Sequence, residues 1–311
     1  MATKEPQISI VVPLYNEEES LKELHSRIRS NVKKYSYEII FIDDGSTDHS
    51  FSTLLKIKKT DKNVRIIKFK KNYGKSYAMD AGFKKAGGDY VITMDADLQD
   101  DPNEIPKLIN TIKTEQLDII SGWKYKRHDP FSKTIPSKLF NFIVRIFTGI
   151  KLHDMNCGLK IYTKDAIKDL NLYGSLHRFI PVLLNTQGFR SGEIIVKHHS
   201  RKFGTSKYGG RRLIVGLLDF FTILFLSKFM KNPLHFFGII GLILSAAGSL
   251  LVGYIVYLKI AFGTIQARLP LLNFGLLALL MGVQFFSIGL LGELLISKSL
   301  TKSGYTIEKI I

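Results

Sequence analysis

The chain has one cysteine, Cys157, in 311 residues, so it has no internal disulfide, and its cysteine usage suits a reducing compartment. Acidic residues are also scarce, 27 against 44 Lys and Arg, leaving a formal net charge of +17. Such an excess raises the question of nucleic acid, but no nucleic-acid-binding motif accompanies it and much of it lies beside apolar segments, so no nucleic-acid partner is expected. The amino terminus lacks the hydrophobic region of a signal peptide: Met1–Gln7 is polar and runs into only six apolar residues. No repeat and no low-complexity tract is found.

Charge itself is missing from two long runs. Leu234–Leu258 has 25 residues and Leu269–Leu291 has 23 without Lys, Arg, Asp or Glu. About 20 apolar residues cross a hydrocarbon core. Two membrane spans are expected, and two buried core helices are disfavoured because soluble helices are rarely apolar on every face for this length. Gly238, Gly241, Gly248 and Gly253 suit close helix packing in lipid, and mid-span Gln284 is expected to face another helix. His235 and Glu293 fall near the span ends. Lys and Arg are dense from Lys197 to Lys231 and recur at Lys298, Lys302 and Lys309, whereas the connection Lys259–Arg268 carries only its two end residues. That asymmetry places the large amino-terminal part in the cytoplasm.

Before the spans, strand-like runs alternate with helical ones. Ile8–Pro13, Tyr37–Asp43, Val64–Phe69, Tyr90–Met94 and Asp118–Ser121 read as strands, and Glu18–Tyr35 and Tyr77–Ala86 as helices, the pattern of parallel βαβ units. At the carboxyl end of the fourth run stand Asp95-Ala96-Asp97 and Gln99. Ligands bind at that edge of an open α/β sheet, and two carboxylates plus an amide oxygen suit Mg²⁺ or Mn²⁺ shared with substrate phosphates. Val12–Glu18 and Asp43–Asp48 follow the first two strands at the same edge. Each loop alone reads equally as an ordinary turn or cap, and their shared position favours a site. Gly74-Lys75-Ser76 is not a phosphate loop, since Phe69 stands where that motif needs glycine, although Lys75 remains within the candidate set for a phosphate contact. Further on, Thr134–Thr148 is amphipathic and basic, suiting either the membrane surface or the sheet. Arg211–Met230 has a similar character and leads towards the bilayer.

Taken in order, Val12–Glu18, Asp43–Asp48, Met94–Pro102 (MDADLQDDP) and Arg201–Tyr208 (RKFGTSKY), followed by a membrane hairpin, resemble the polyprenyl-phosphate glycosyltransferases over essentially the whole chain. The resemblance implies an α/β fold of GT-A (Rossmann-like) type that binds a nucleotide sugar, followed by juxtamembrane helices and a two-helix transmembrane hairpin. It divides the chain into a cytoplasmic catalytic domain at 1–210, a juxtamembrane helix at 211–232 and a hairpin at 233–311, with spans near 234–258 and 269–296. It implies inverting transfer from a UDP- or GDP-linked sugar to a polyprenyl phosphate in a membrane, most simply the bacterial inner membrane. Pro13, Tyr15, Glu17, Ile42, Asp44, Asp95 and Lys75 would surround the nucleotide sugar. Asp95, Asp97 and Gln99 would hold Mg²⁺ or Mn²⁺. The acceptor and its phosphate fall to Lys124, Arg127, Lys133, Ser137, Arg201 and Lys207, where Arg offers a planar fork and Lys a point charge.

His153–Gly158 resembles the family segment with a further functional Asp, here Asp154, which would orient acceptor or sugar or act as a base; Asp97 and Asp154 are the catalytic candidates. A lipid monophosphate is largely dianionic at neutral pH and scarcely needs a base. His177–Pro181 (HRFIP) matches bacterial members and reads as structural. A processive polysaccharide synthase would need Q-x-x-R-W, but the single Trp123 lies in Ser121-Gly122-Trp123-Lys124. A non-catalytic scaffold or lipid-flipping partner is opposed by the intact Asp95, Asp97 and Gln99. Self-association through the spans is left open.

Overall fold

The computed structural model describes residues 5–125, 141–142, 144–146, 148–200, 202, 221–222, 225, 229, 232–265 and 268–299. The chain divides into two compact units, Met1–Ile223 and Leu224–Ile311. Most of Thr134–Thr148 and of Arg211–Met230 lies outside the described residues.

Seven strands form one sheet: β1 (Ile8–Leu14), β2 (Tyr37–Asp43), β3 (Val64–Lys68), β4 (Tyr90–Thr93), β5 (Ile119–Trp123), β6 (Lys160–Thr163) and β7 (Ser191–Ile195), in the order β3-β2-β1-β4-β6-β5-β7. Between them run α1 (Leu21–Val32), α2 (Ser50–Thr60), α3 (Lys75–Lys85), α4 (Ile105–Thr114), α5 (Lys164–Lys168) and α6 (Ile180–Thr186). Every residue of β1 is buried, as an inner strand of a sheet covered on both faces requires, and its one polar residue, Ser9, donates to Glu38 Oε1 (2.7 Å). Pro13 is tolerated in this inner strand because pairing to β4 ends at Val11, so no ladder donor is needed beyond it. In α1, Leu21, Leu24, Ile28 and Val32 recur at helical spacing and are fully buried. Each such side chain contributes about 1.5–3 kcal/mol by leaving water, so Ile28→Asp would undo the packing of that helix. On α3, a Cβ at Gly82 would lie 2.4 Å from Val11 Cγ1 and 3.0 Å from Ile42 Cδ1; only glycine lets this helix lie so close to β1 and β2.

The first four strands are parallel, with boundaries within a residue of those expected. The remainder departs from an all-parallel reading. β6 inserts between β4 and β5 and runs antiparallel to both, with Ile161 opposite Ile92 on one side and Ile120 on the other. Its short run, Lys-Ile-Tyr-Thr, opens on a buried lysine, which disguised an inner strand. β5 continues to Trp123, two residues past the expected end, and so places Lys124 at the sheet's edge.

The second unit contains α7 (Pro233–Phe262, 30 residues) and α8 (Leu269–Ser299, 31 residues). Both are long and apolar enough to cross a membrane, and only 17% of each apolar window is buried. Leu250, Ile260 and Leu295 are 75%, 80% and 71% exposed, so within this unit the two helices leave most of their apolar surface uncovered, which suits membrane spans better than soluble core helices. The helices meet on glycine: a Cβ at Gly248 would lie 2.6 Å from Leu279 N and 2.7 Å from Gly275 O, and one at Gly241 would lie 2.7 Å from Gly282 O. Gly253 does not share this contact, since nothing lies within 4 Å of its Cβ position, and Gln284 is exposed rather than turned onto α7. The 3.6-residue period carries both onto the outer face. Glu293 accepts a long hydrogen bond, 3.5 Å, from the Leu234 N–H at the start of α7, where a helix end favours negative charge.

Candidate active site

Chain direction from β1 leads to β2 and β3 on one side and β4 lies on the other, so the sheet's topological switch point, where ligands bind in open α/β sheets, lies at the carboxyl ends of β1 and β4. The loops after β1 and β2 are tied together there. Asn16 N–H donates to Ser46 Oγ (3.0 Å), Thr47 N–H to Asn16 Oδ1 (2.8 Å), Glu17 N–H to Ser50 Oγ (2.9 Å) and Glu18 N–H to Asp48 Oδ2 (3.2 Å). Asn16 takes φ +53°, a left-handed conformation that Asn tolerates better than most residues. Tyr15 and Glu17 are half-buried in this seam. Pro13 and Ile42 face each other across β1 and β2 one layer below it, both buried, with Ile42 packed against α3.

Asp44 binds the protein's own backbone. Its Oδ1 accepts from Tyr73 N–H (2.7 Å) and its Oδ2 from Gly74 N–H (2.9 Å), which fixes the loop that delivers Lys75 to the rim. Burial raises its carboxyl above the ordinary range, the two amides oppose that shift, and the neighbouring Asp43 charge adds to it. Gly45, at φ +72°, lets this turn pass the Lys71 backbone, 2.4 Å from a would-be Cβ.

The β4 loop carries the candidate ligands. Leu98 is buried at φ +61°, a backbone strain of the kind that concentrates at functional loops. Asp97 is 8% exposed, and its Oδ1 accepts from Gln99 N–H (3.1 Å). Asp95 is ion-paired with Lys75. Burial pushes the Asp95 carboxyl up, and the Lys75 ammonium, with Lys124 nearby, more than reverses this and brings it to about 2. Lys124 Nζ lies 3.0 Å from Asp100 Oδ1 in a buried ion pair. Burial would lower its ammonium, but the Asp100 and Asp95 carboxylates hold it well above the usual lysine range. Gly158 completes the arrangement: a Cβ there would be 2.7 Å from Asp100 Oδ2 and 2.7 Å from Asp95 Oδ2, so both carboxylates lean over a bare Cα.

Behind them, Asp154 is buried, with its Oδ1 accepting from Asn156 N–H (3.1 Å) and its own N–H donating to Glu193 Oε1 (2.9 Å). His153 stacks on Trp123 at 4.2 Å and bonds Glu193 through Nδ1 (2.8 Å). Burial pushes the Cys157 thiol up to about 12, which keeps it protonated and removes it as a nucleophile. His177 N–H donates to Ser76 Oγ (3.1 Å), and the Ser76 hydroxyl lies 2.8 Å from His177 Nδ1. Burial lowers the imidazole well below its usual value and the Lys75 and Arg178 charges reinforce that, so it is neutral at pH 7.

The loop after β4 is also joined to the start of the basic loop. His199 N–H donates to Gln99 O (2.9 Å), Asp100 pairs with His198 in an isolated bridge, and His199 Nε2 lies 3.1 Å from Asp101 Oδ2. Arg201 follows two residues later. Arg201 itself, Lys207, Arg127, Lys133 and Ser137 lie outside the described residues. The structure therefore gathers Asp95, Asp97, Gln99, Lys75 and Lys124, seats Tyr15, Glu17, Pro13, Ile42 and Asp44 on the neighbouring strand ends, and holds Asp154 behind β5. Sequence reasoning missed Asp100, Gly158, Lys160 and Glu193. For Asp100 a signal was present in Gln99-Asp100-Asp101-Pro102; the other three depend on strand register.

Among the described residues no three His, Cys, Asp or Glu side chains converge as a self-sufficient metal site. A divalent ion held by one or two carboxylates and completed by substrate phosphates needs no such cage. Asp95, Asp97 and Gln99 supply hard oxygen donors, and the rim carboxylate Asp95 is held ionised, so the residues fit Mg²⁺ or Mn²⁺.

The sequence profile described as "Glycosyl transferase family 2" matches residues 9–170. The chain is 37% identical over 295 residues to a dodecaprenyl-phosphate galacturonate synthase from Rhizobium johnstonii, covering 93% of this chain and 87% of that one. It is 37% identical over 291 residues to an undecaprenyl-phosphate 4-deoxy-4-formamido-L-arabinose transferase from Proteus mirabilis, covering 92% and 87%. Among solved structures, glucosyl-3-phosphoglycerate synthase from Mycobacterium tuberculosis, in complex with phosphoglyceric acid, matches with a TM-score of 0.54 at 18% identity, over 69% of this chain and 80% of that one. Other structures of that enzyme hold Mn²⁺ with UDP-glucose and phosphoglyceric acid (TM-score 0.51, 19% identity, 69% and 79% covered) or Mg²⁺ with UDP (0.54, 18%, 69% and 79%). At such identity these neighbours establish the GT-A fold alone. From end-to-end likeness to lipid-carrier enzymes, and from a sheet whose switch point carries the D-x-D-x-Q loop, the chain belongs to glycosyl transferase family 2, with the polyprenyl-phosphate sugar transferases.

Proposed function

We propose that this enzyme moves one sugar from a nucleotide-sugar donor onto the phosphate of a membrane polyprenyl phosphate, with inversion at the anomeric carbon. The observation that carries this reading is the two ion pairs over Gly158, Asp95–Lys75 at the rim and Asp100–Lys124 buried beside it, in a chain 37% identical along nearly its whole length to transferases of that kind.

Two anions have to be brought together, so the chemistry asks chiefly for cations and alignment. Asp95, Asp97 and Gln99 would hold Mg²⁺ or Mn²⁺, which supplies positive charge for the departing nucleoside diphosphate. Tyr15 and Glu17, in the seam between the first two loops, would border the nucleoside. Asp44 acts one step back, since both its oxygens hold the loop that presents Lys75. Lys124, with Arg127, Lys133, Ser137, Arg201 and Lys207 by family likeness, would receive the acceptor phosphate. Asp154 would orient acceptor or sugar through the loop it anchors to Glu193. The two apolar helices would keep the enzyme in the plane of its lipid substrate, with the sheet on the cytoplasmic side of a bacterial inner membrane. The donor is a UDP- or GDP-sugar.

The full chain in nanodiscs with undecaprenyl phosphate, offered a panel of UDP- and GDP-sugars, should yield a lipid-phosphate monosaccharide identifiable by mass spectrometry. Excess EDTA should abolish the reaction, and Mn²⁺ or Mg²⁺ should restore it. A sugar polymer as product, or full turnover in chelator, would refute the reading.

A further inference from the structure

Lys75 stands where local rules disfavour it. It is the first residue of α3, a helix with no acidic residue in its first turn, and a cation there opposes the helix dipole. Its placement is explained by Asp95, whose Oδ1 it holds. The backbone that carries Lys75 is fixed on both sides: Tyr73 and Gly74 are tied to Asp44, and Ser76 to His177. From this fixed backbone the Lys75 side chain reaches Asp95. The Lys75 side chain is 29% exposed and that of Asp95 32%, whereas the Lys124–Asp100 pair beside them is 13% and 1% exposed. The Lys75–Asp95 pair is thus the more open of the two.

We propose that Lys75 is a resident cation of the metal seat: it occupies Asp95 until a divalent ion arrives, then transfers to the donor diphosphate, coupling metal and nucleotide binding. The inference rests on the metal reading of Asp95, Asp97 and Gln99. A divalent ion on the Asp95 carboxylate and the Lys75 ammonium on the same carboxylate repel each other. Metal binding by itself therefore weakens the pair and leaves Lys75 facing another positive charge. A nucleoside diphosphate bound at the same time offers that ammonium a phosphate oxygen, to which a compact point charge is suited. The ion and the diphosphate then tighten each other's binding by the same factor, as linkage requires.

The test is Mn²⁺ titration of the full chain in nanodiscs, followed by electron paramagnetic resonance, alone and with UDP or GDP. In the wild type either nucleotide that binds should tighten Mn²⁺ by about tenfold or more, within the usual range of coupling. In Lys75→Met, Mn²⁺ alone should bind about tenfold tighter than in the wild type and the nucleotide should add about threefold or less. Lys75→Arg, which keeps the charge, should keep the wild-type pattern. Unchanged Mn²⁺ affinity in Lys75→Met, or undiminished coupling, overturns the proposal and leaves the metal site standing. Failure of Mn²⁺ to bind any variant, with or without nucleotide, overturns the metal reading and this proposal together.

Discussion

Gly158→Ala tests the geometry of the site with a single methyl group. The new Cβ would lie 2.7 Å from Asp100 Oδ2 and from both Cγ and Oδ2 of Asp95. Ordinary contact begins near 3.4 Å, so carboxylates or backbone must yield by roughly 0.7 Å. Neither side is free to do so. Gly158 O accepts from Thr93 Oγ1 at 2.9 Å and Cys157 O accepts from Lys160 Nζ, which pins the loop from behind, while Lys75 and Lys124 hold the carboxylates in front. Overpacking of this kind costs about 1–3 kcal/mol, and a misplacement approaching 1 Å at a reacting centre costs about a hundredfold in rate. Transfer assays in nanodiscs should thus show kcat/KM down by about 30- to 300-fold, with the melting temperature lowered by only a few degrees. Activity within about threefold of wild type, at unchanged Mn²⁺ affinity, would refute the argument that the two carboxylates must lean over a bare Cα.

Further outcomes follow from the same structure. Asp97→Asn removes a charge but little volume, so turnover should fall by about three orders of magnitude while circular dichroism and melting stay near wild type; normal turnover would remove Asp97 from the chemistry. Asp61, buried against His25 Nε2 at 2.9 Å and accepting from Asn63 N–H at 3.0 Å, is pushed up by burial and pulled further down by these partners, so its carboxyl lies below its unfolded value. The stability it contributes is present above about pH 4 and is lost as the pH falls through its lowered folded value, so Asp61→Asn should lose about 1–3 kcal/mol at pH 7 and flatten the acid limb of a pH-melting profile; an unchanged acid limb would refute this. Gly248→Leu would drive a side chain into Leu279 N and Gly275 O, 2.6 and 2.7 Å from the Cβ position, and should lower the detergent melting temperature sharply, whereas Gly253→Leu, with nothing within 4 Å, should not.

Much of this protein can be read without coordinates because the relevant physics is local. Charge-free runs longer than a bilayer needs reveal the two apolar helices, and apolar β-branched segments ending in Asp or Asn mark the strands whose carboxyl ends carry ligands. Asp95, Asp97 and Gln99 sit within five residues of one another, so the proposed metal seat is legible as a motif. Other features depended on partners far along the chain. Thr93 and Gly158, joined by a hydrogen bond, are 65 residues apart, and no local pattern ties them. β6 escaped notice because Lys160 gave it a polar start, and only its insertion between β4 and β5 brings Gly158 under Asp95 and Asp100. Residue types and their order determined the fold class and the ligand chemistry on offer. Which lysine neutralises which carboxylate was decided by strand register in the folded sheet, since ion pairing acts across space over a few ångströms regardless of distance along the chain.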